Sequence, residues 1–276
     1  MITFSDIRTL PPTYLRQRLK YSEHGLSAED LGHALTVADA DTRAYLLANV
    51  PGLETASSPD PARAMAVQRQ LVALYFWEIV YWGFPEVYQA FSRLQRFPFE
   101  ELFPAARFAG RDVLEVGCGS GKLTRHLARS TGVLTAVDPA PGLLVLAAKD
   151  GPWPTGVRFQ EGSFDALPLG EASVDAVVSN LAFQATEERG GRRGLREMRR
   201  VLRPGGLIAL VVGSEGAREL LIAEGFAPRV AQERPRMDVP SGEDRRPLLT
   251  MLRHLGQPAF LGDPPPAGEV LEWEDR

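Results

Sequence analysis

The 276-residue chain is poor in three reactive or cationic residue types: it has one cysteine, four histidines and three lysines (Lys20, Lys122 and Lys149). A lone Cys118 excludes an intramolecular disulfide and any metal cluster built on cysteine. Long apolar runs are also missing. The most apolar stretch, Leu71 to Phe91, is interrupted by Glu78 and Glu86 and limited by Pro85, so it falls short of the ~20 apolar residues that a membrane-spanning helix needs. The N-terminal MITFSDIRTLPPTYLRQRLK has no apolar segment behind a basic start; no secretory signal is expected, and cytoplasmic is the expected location. With a net charge of −4 and a pI near 5.7, the chain lacks the broad basic footprint of a nucleic-acid binder. No repeat at solenoid or propeller periods is visible.

What is present is ordinary globular material, 44% apolar and 24% charged, long enough for one catalytic domain with an appended segment. Residues 1–108 read as helical. Apolar residues recur at helical spacing over Tyr14 to Tyr21, Ser27 to Val37 and Asp41 to Leu47, with Ser27 and Asp30 spaced as an N-cap. After the break Ser57-Ser58-Pro59-Asp60-Pro61, one long helix is expected over Ala62 to Gly83 and another from Pro85 toward Phe97. From Arg111 short β-branched runs alternate with amphipathic helices, the pattern of a doubly wound α/β sheet. Strands are expected at 112–116, 133–137, 156–161, 174–179, 207–212 and 226–233, and helices at 121–130, 141–149, 190–202 and 215–224. The central domain is taken as 109–236 and the C-terminal extension as 237–276, with a Leu-rich piece at 248–255 and the irregular Asp263-Pro264-Pro265-Pro266.

The run Val113-Leu114-Glu115-Val116-Gly117-Cys118-Gly119-Ser120-Gly121-Lys122-Leu123 leaves an apolar strand, crosses a glycine-rich turn and enters a helix. Glycines there let the backbone turn sharply and leave no side chain between the chain and a ligand at the strand's carboxyl end. Asp138, ending the next strand about 20 residues on, suits a dinucleotide site as well. Two features separate the readings: the glycine spacing Glu-x-Gly-x-Gly-x-Gly differs from the dinucleotide fingerprint, and Glu115 ends the strand. With these residues the sequence resembles class I S-adenosylmethionine (SAM)-dependent methyltransferases of the small-molecule type, over roughly Arg111 to Val212.

That resemblance implies a mostly parallel seven-stranded sheet with the helical N-terminal segment as a substrate-covering cap and the C-terminal extension completing the sheet. It implies SAM as cofactor and a small-molecule acceptor, with no nucleic-acid or membrane partner. The cofactor-binding residues it points to are Glu115, Gly117, Cys118, Gly119 and Gly121 in the loop, and Asp138 with Pro139 at the ribose. Ser163 and Phe164 lie in the adenine loop, with Asp165 as a neighbouring acceptor because Ser163 stands where the family commonly has aspartate. Asn180 lies near the methionine end. Arg200-Val201-Leu202-Arg203-Pro204-Gly205-Gly206-Leu207 resembles the family's helix-to-strand turn, where Gly205 and Gly206 supply positive backbone angles. Ser179-Asn180-Leu181-Ala182-Phe183-Gln184 is similar to the carboxyl methyltransferase of biotin synthesis, with Ala185 in place of a following tryptophan.

Bland readings stand beside these. Cys118 reads as a small buried hydrophobe, because nothing nearby supplies a base. His126 reads as packing or surface, and no catalytic base is assigned. Arg189, Arg192, Arg193, Arg196, Arg199, Arg200 and Arg203 read as a solvated face. Of the aromatic set Tyr75 to Phe91 most is core, with Tyr81, Trp82 and Tyr88 as candidate substrate contacts. Methyl transfer from a sulfonium is a direct displacement that needs positioning and water exclusion more than acid–base chemistry. The acceptor atom is therefore open. Two other classes fit the same motifs: a SAM-binding enzyme that does not methylate, such as a lyase or cyclase, and a non-enzymatic interaction module.

Overall fold

The computed structural model describes residues 2–19, 21–212, 216–226, 229–233 and 269–274. Two compact units divide at Val87/Tyr88, so that residues 88–108 group with the sheet rather than with the helices before them.

The first unit is helical: α1 (Pro12–Arg18), α2 (Ala28–Thr36), α3 (Ala40–Asn49), α4 (Pro61–Leu74) and α5 (Phe76–Gly83). Its helix starts are written in the sequence. Ser27 accepts from the Asp30 amide at 3.1 Å while Asp30 accepts from the Ser27 amide at 2.8 Å, a reciprocal cap at the head of α2. Asp39 and Asp60 cap α3 and α4 in one direction, accepting from the Thr42 and Arg63 amides at 2.9 and 3.0 Å, with Pro61 at the first position of α4. The single helix expected over Ala62 to Gly83 is broken at Tyr75. Adjacent residues on an unbroken helix point about 100° apart; the break lets both Tyr75 and Phe76 enter the core, where they are buried. Helix α2 packs on α4, and Arg63 reaches from α4 to Asp30 at 2.7 Å and Glu29 at 2.9 Å.

Helix α6 (Pro85–Leu94) leads into the second unit, followed by α7 (Phe99–Leu102), β1 (Val113–Val116), α8 (Lys122–Leu127), β2 (Leu134–Asp138), α9 (Pro141–Lys149), β3 (Val157–Glu161), β4 (Val174–Asn180), α10 (Gly191–Val201), β5 (Leu202–Val212), α11 (Ala217–Ala223), β6 (Arg229–Glu233) and β7 (Glu269–Glu274). Strands β1 to β5 are parallel, in the order β3-β2-β1-β4-β5, and β7 and β6 continue the sheet antiparallel beyond β5. The fold is thus the doubly wound, mostly parallel α/β class read from the sequence. β1 and β2 are buried along their whole length, as expected of parallel strands covered on both faces.

Alternation along each strand feeds two cores. Leu114, Val116, Val177, Ile208 and Leu210 face Leu195, Met198 and Val201 of α10 and Leu221 of α11. Val113, Leu134, Ala176, Val178 and Leu207 face Leu123 and Leu127 of α8 together with Leu102, Phe103 and Phe108. Strand β5 starts earlier than the expected 207 and takes in the Arg203–Gly206 turn. Of its two glycines only Gly205 adopts a positive φ, of 75°, while Gly206 is required for space: a Cβ there would lie 2.5 Å from Leu202 Cγ. The strand expected at 226–233 begins at Arg229, because Phe226 is buried as part of the core under α11. The Leu-rich piece at 248–255 lies outside the described residues. Among those described, no helix is long and apolar enough to cross a membrane.

Candidate functional site

The strand order reverses between β1 and β4. In open α/β sheets that reversal leaves a crevice at the strands' carboxyl ends, where ligands bind. Here the β1 end carries the glycine loop. Gly117, Gly119 and Gly121 take φ of 76°, 54° and 84°, all in the left-handed region that favours glycine. Space enforces the same choice: a Cβ on Gly117 would stand 2.2 Å from the Ala182 Cβ in the loop after β4, and one on Gly119 would stand 3.0 Å from the Tyr88 ring. The amides of Gly117 and Cys118 both donate to the Val137 carbonyl, at 2.8 and 2.9 Å, which ties the loop to β2.

At the end of β2, Asp138 is buried, with one carboxylate oxygen accepting from the Gly119 amide at 2.8 Å and the other from Ala140 at 2.9 Å. Burial pushes its carboxyl up to about 6, against the opposing pull of those two amides and of Arg189. Glu115 is buried one strand over, and Thr124 Oγ1 donates to it at 2.6 Å. Burial drives this carboxyl up to about 8, with the Asp138 charge adding to the rise and Thr124 opposing it. At neutral pH the pair therefore carries one negative charge, on Asp138, the residue nearer the loop amides. Glu115 acts as a neutral strut between β1 and α8. Cys118 is buried and its thiol is raised, first by burial and then by the two carboxylates, so it is no thiolate nucleophile at neutral pH.

The β4 side adds a polar feature. Asn180 ends β4, its Oδ1 is buried without a hydrogen-bond partner among the described residues, and Leu181 follows with a positive φ of 62°. A buried, unsatisfied carbonyl oxygen costs about 1–3 kcal/mol. Such a cost, next to an unusual backbone turn, points to a group that a ligand completes.

Residues 114–210 match the family described as "Methyltransferase domain". Residues 114–210 thus form a methyltransferase domain. A malonyl-[acyl-carrier protein] O-methyltransferase of Pectobacterium atrosepticum is 35% identical to the chain over 133 residues, 47% of this chain and 50% of that protein. One of Erwinia billingiae is 32% identical over 171 residues, 62% of each, and an uncharacterized methyltransferase of Mycobacterium tuberculosis is 38% identical over 117 residues, 42% of this chain and 44% of that protein. The chain spans about half the length of most of these curated relatives, as the first of them shows at 50%. Among solved structures, a SAM-dependent methyltransferase from Mesorhizobium loti aligns with a TM-score of 0.44 and 19% identity, over 63% of this chain and 97% of that one. A Haloferax volcanii complex of the Trm112 activator with a methyltransferase aligns at 0.48 and 19%, over 70% and 95%.

Within the methyltransferase domain the site residues read from the sequence divide into two groups. Gly117, Cys118, Gly119 and Gly121 lie on the loop after β1, Asp138 and Asn180 end β2 and β4, and Pro139 sits beside Ala140, whose amide donates to Asp138. Ser163 is half-buried and donates to Asp165 at 2.6 Å, a contact within the loop after β3. Phe164 is a different case: it is buried, meets Phe183 edge-on at 5.4 Å, and belongs to the core under α10. It packs beneath α10, where Gly190 and Gly194 leave room for it. Tyr81 and Trp82 lie on α5 in the first unit and Tyr88 opens the second; Tyr81 stacks on Trp77 at 5.9 Å.

Several contributors escaped the sequence reading. Ala182 holds Gly117 to glycine, Thr124 satisfies Glu115, and Trp153 packs 3.5 Å from the space a Gly121 side chain would need. The arginines of α10 and the start of β5 are less bare than a solvated face: Arg192 and Arg196 share Glu224 at 3.0 and 3.3 Å, Arg200 pairs with Glu197 at 2.7 Å, and Arg203 bridges Asp112 and Asp175. His126 Nε2 lies 2.8 Å from the Phe103 carbonyl oxygen, a packing role.

Proposed function

We propose that the whole chain is a methyltransferase that transfers the methyl group of SAM to a small molecule bearing a free carboxylate. The observation that carries the cofactor part is the pairing, at the β1/β4 reversal, of a glycine-rich loop backed by Asp138 with the orphaned Oδ1 of Asn180. These residues fit the cofactor. The glycine loop offers backbone amides in a sharp turn at the strand end, Asp138 offers a buried carboxylate for a ribose diol, and Asn180 Oδ1 offers an acceptor for an ammonium. Asp138 has accepting capacity left on each oxygen beyond the two amides it already holds.

Bound there, SAM supplies an electrophilic methyl on a sulfonium. The chain's own task is placement: the loop backbone fixes one end of the cofactor, Asp138 the ribose, and Asn180 the amino-acid end, so that an acceptor atom meets the methyl in line. A carboxylate acceptor is already a nucleophile at neutral pH and needs no general base. That suits a domain whose His126 is engaged with Phe103 and whose Glu115 is sealed in the sheet. The names of the 35% and 32% identical relatives support the same acceptor class, as does the Ser179–Gln184 segment.

The test is methyl-labelled SAM with malonyl-[acyl-carrier protein] and with a malonyl thioester of a small thiol. A methyl ester releases labelled methanol in mild base. Label transferred to either acceptor and released in this way supports the reading, whereas base-stable label or no transfer counts against the carboxylate.

A further inference from the structure

Lys122 is the first residue of α8, directly after the glycine loop, and among the described residues it is not paired with a carboxylate. Its ammonium donates to two backbone carbonyls, Ser92 and Gln95, at the carboxyl end of α6. It also lies 5.2 Å from the centre of the Phe97 ring. A cation placed on the last carbonyls of a helix satisfies oxygens that have no partner within the helix and meets the negative end of its dipole. Ser92 is buried and burial pushes the Lys122 ammonium down to about 8, so the contact is a built interior one and no chance surface approach. One turn before Ser92 on α6, Tyr88 rests on Gly119, whose amide holds Asp138.

We propose that Lys122 is a positioning residue that fastens the carboxyl half of α6 to the glycine loop, keeping Tyr88 over Gly119 and coupling cofactor binding to the closure of this strap. The inference rests on the reading of the glycine loop as the cofactor site. It follows from geometry: one residue, at the foot of the loop, closes the end of the helix whose aromatic residue covers the loop. A helix held only by apolar contact could slide over the loop, whereas a cation on two of its carbonyls sets its register. Binding that requires the closed strap must, by reciprocity, hold the strap closed.

The experiment uses the full chain and S-adenosylhomocysteine, the demethylated cofactor, as probe. Amine-reactive labelling of the wild-type protein is followed at Lys122 and at Lys149, with and without saturating S-adenosylhomocysteine, alongside calorimetric titration of wild type, Lys122→Met and Lys122→Arg. The expected result is a ten-fold or greater slowing of labelling at Lys122 on saturation with Lys149 unchanged, a ten-fold or greater loss of affinity in Lys122→Met, and partial recovery in Lys122→Arg. Hydrogen exchange of residues 88–95 should quicken in Lys122→Met. Binding to the wild type with no change in Lys122 labelling overturns the coupling, and the labelling result decides the matter even if Lys122→Met fails to fold. No binding to the folded wild type removes the cofactor reading and this inference with it, a distinguishable outcome.

Discussion

At the residue scale, two positions carry the sharpest consequences. Glu115 is driven up to about 8 in the folded protein, whereas an unfolded glutamate ionises near its ordinary 4.5. Between those values the native state holds a proton the unfolded chain has lost, so stability falls as pH rises through that window and the full cost is present above it. Glu115→Gln carries no such proton. Its stability relative to wild type should improve between pH 5 and about pH 8 and level off above that in urea unfolding, and equal pH slopes for the two proteins below pH 8 would refute the assignment. Gly117 is fixed both by its positive φ and by Ala182. Gly117→Ala should destabilise by about 1–3 kcal/mol and weaken S-adenosylhomocysteine binding more than the same change at Gly110, which has a positive φ but open space. A Gly117→Ala protein as stable and as tight-binding as Gly110→Ala would show that the loop after β4 yields.

At the scale of elements, local chemistry decides where helices start. The reciprocal cap of Ser27 and Asp30 should make Ser27→Ala cost about 1 kcal/mol, read as a shift in the urea midpoint with the slope unchanged; a change of slope would place the effect elsewhere. Such caps, the glycine turn and the β-branched runs are local signals, and the sequence alone supplied the α/β alternation, the β1 loop and the Asp138 strand end. What it could not supply was set by contacts between distant residues. The break at Tyr75 comes from burying two adjacent aromatics, and the inward turn of Phe164 comes from space left by Gly190 and Gly194, about thirty residues on. Lys122 drew no role from the sequence, because its partners are the backbone carbonyls of Ser92 and Gln95, about 30 residues away, which no side-chain pattern reveals. The pairing of β7 between β5 and β6 joins strands whose order in space departs from their order in sequence.

At the scale of the molecule, the methyltransferase domain and the helical first unit are separate compact bodies, and the cofactor reading belongs to the second. Its residues come from the ends of β1, β2 and β4 and from α6, held together by the parallel sheet. That arrangement makes one charge central. Asp138 is ionised at neutral pH and pushed up to about 6, so a ligand whose hydroxyls donate to it should bind less tightly below that pH, by at most ten-fold per unit, because one proton is involved. The most direct test is calorimetric titration of the folded protein with S-adenosylhomocysteine at pH 7.5 and pH 5, beside Asp138→Ala checked for native circular dichroism. Binding at pH 7.5 that weakens at pH 5, and that Asp138→Ala lowers ten-fold or more, about 1.4 kcal/mol, is the predicted result. A folded wild type that does not bind, or an Asp138→Ala variant that binds equally well, would contradict the cofactor site described here.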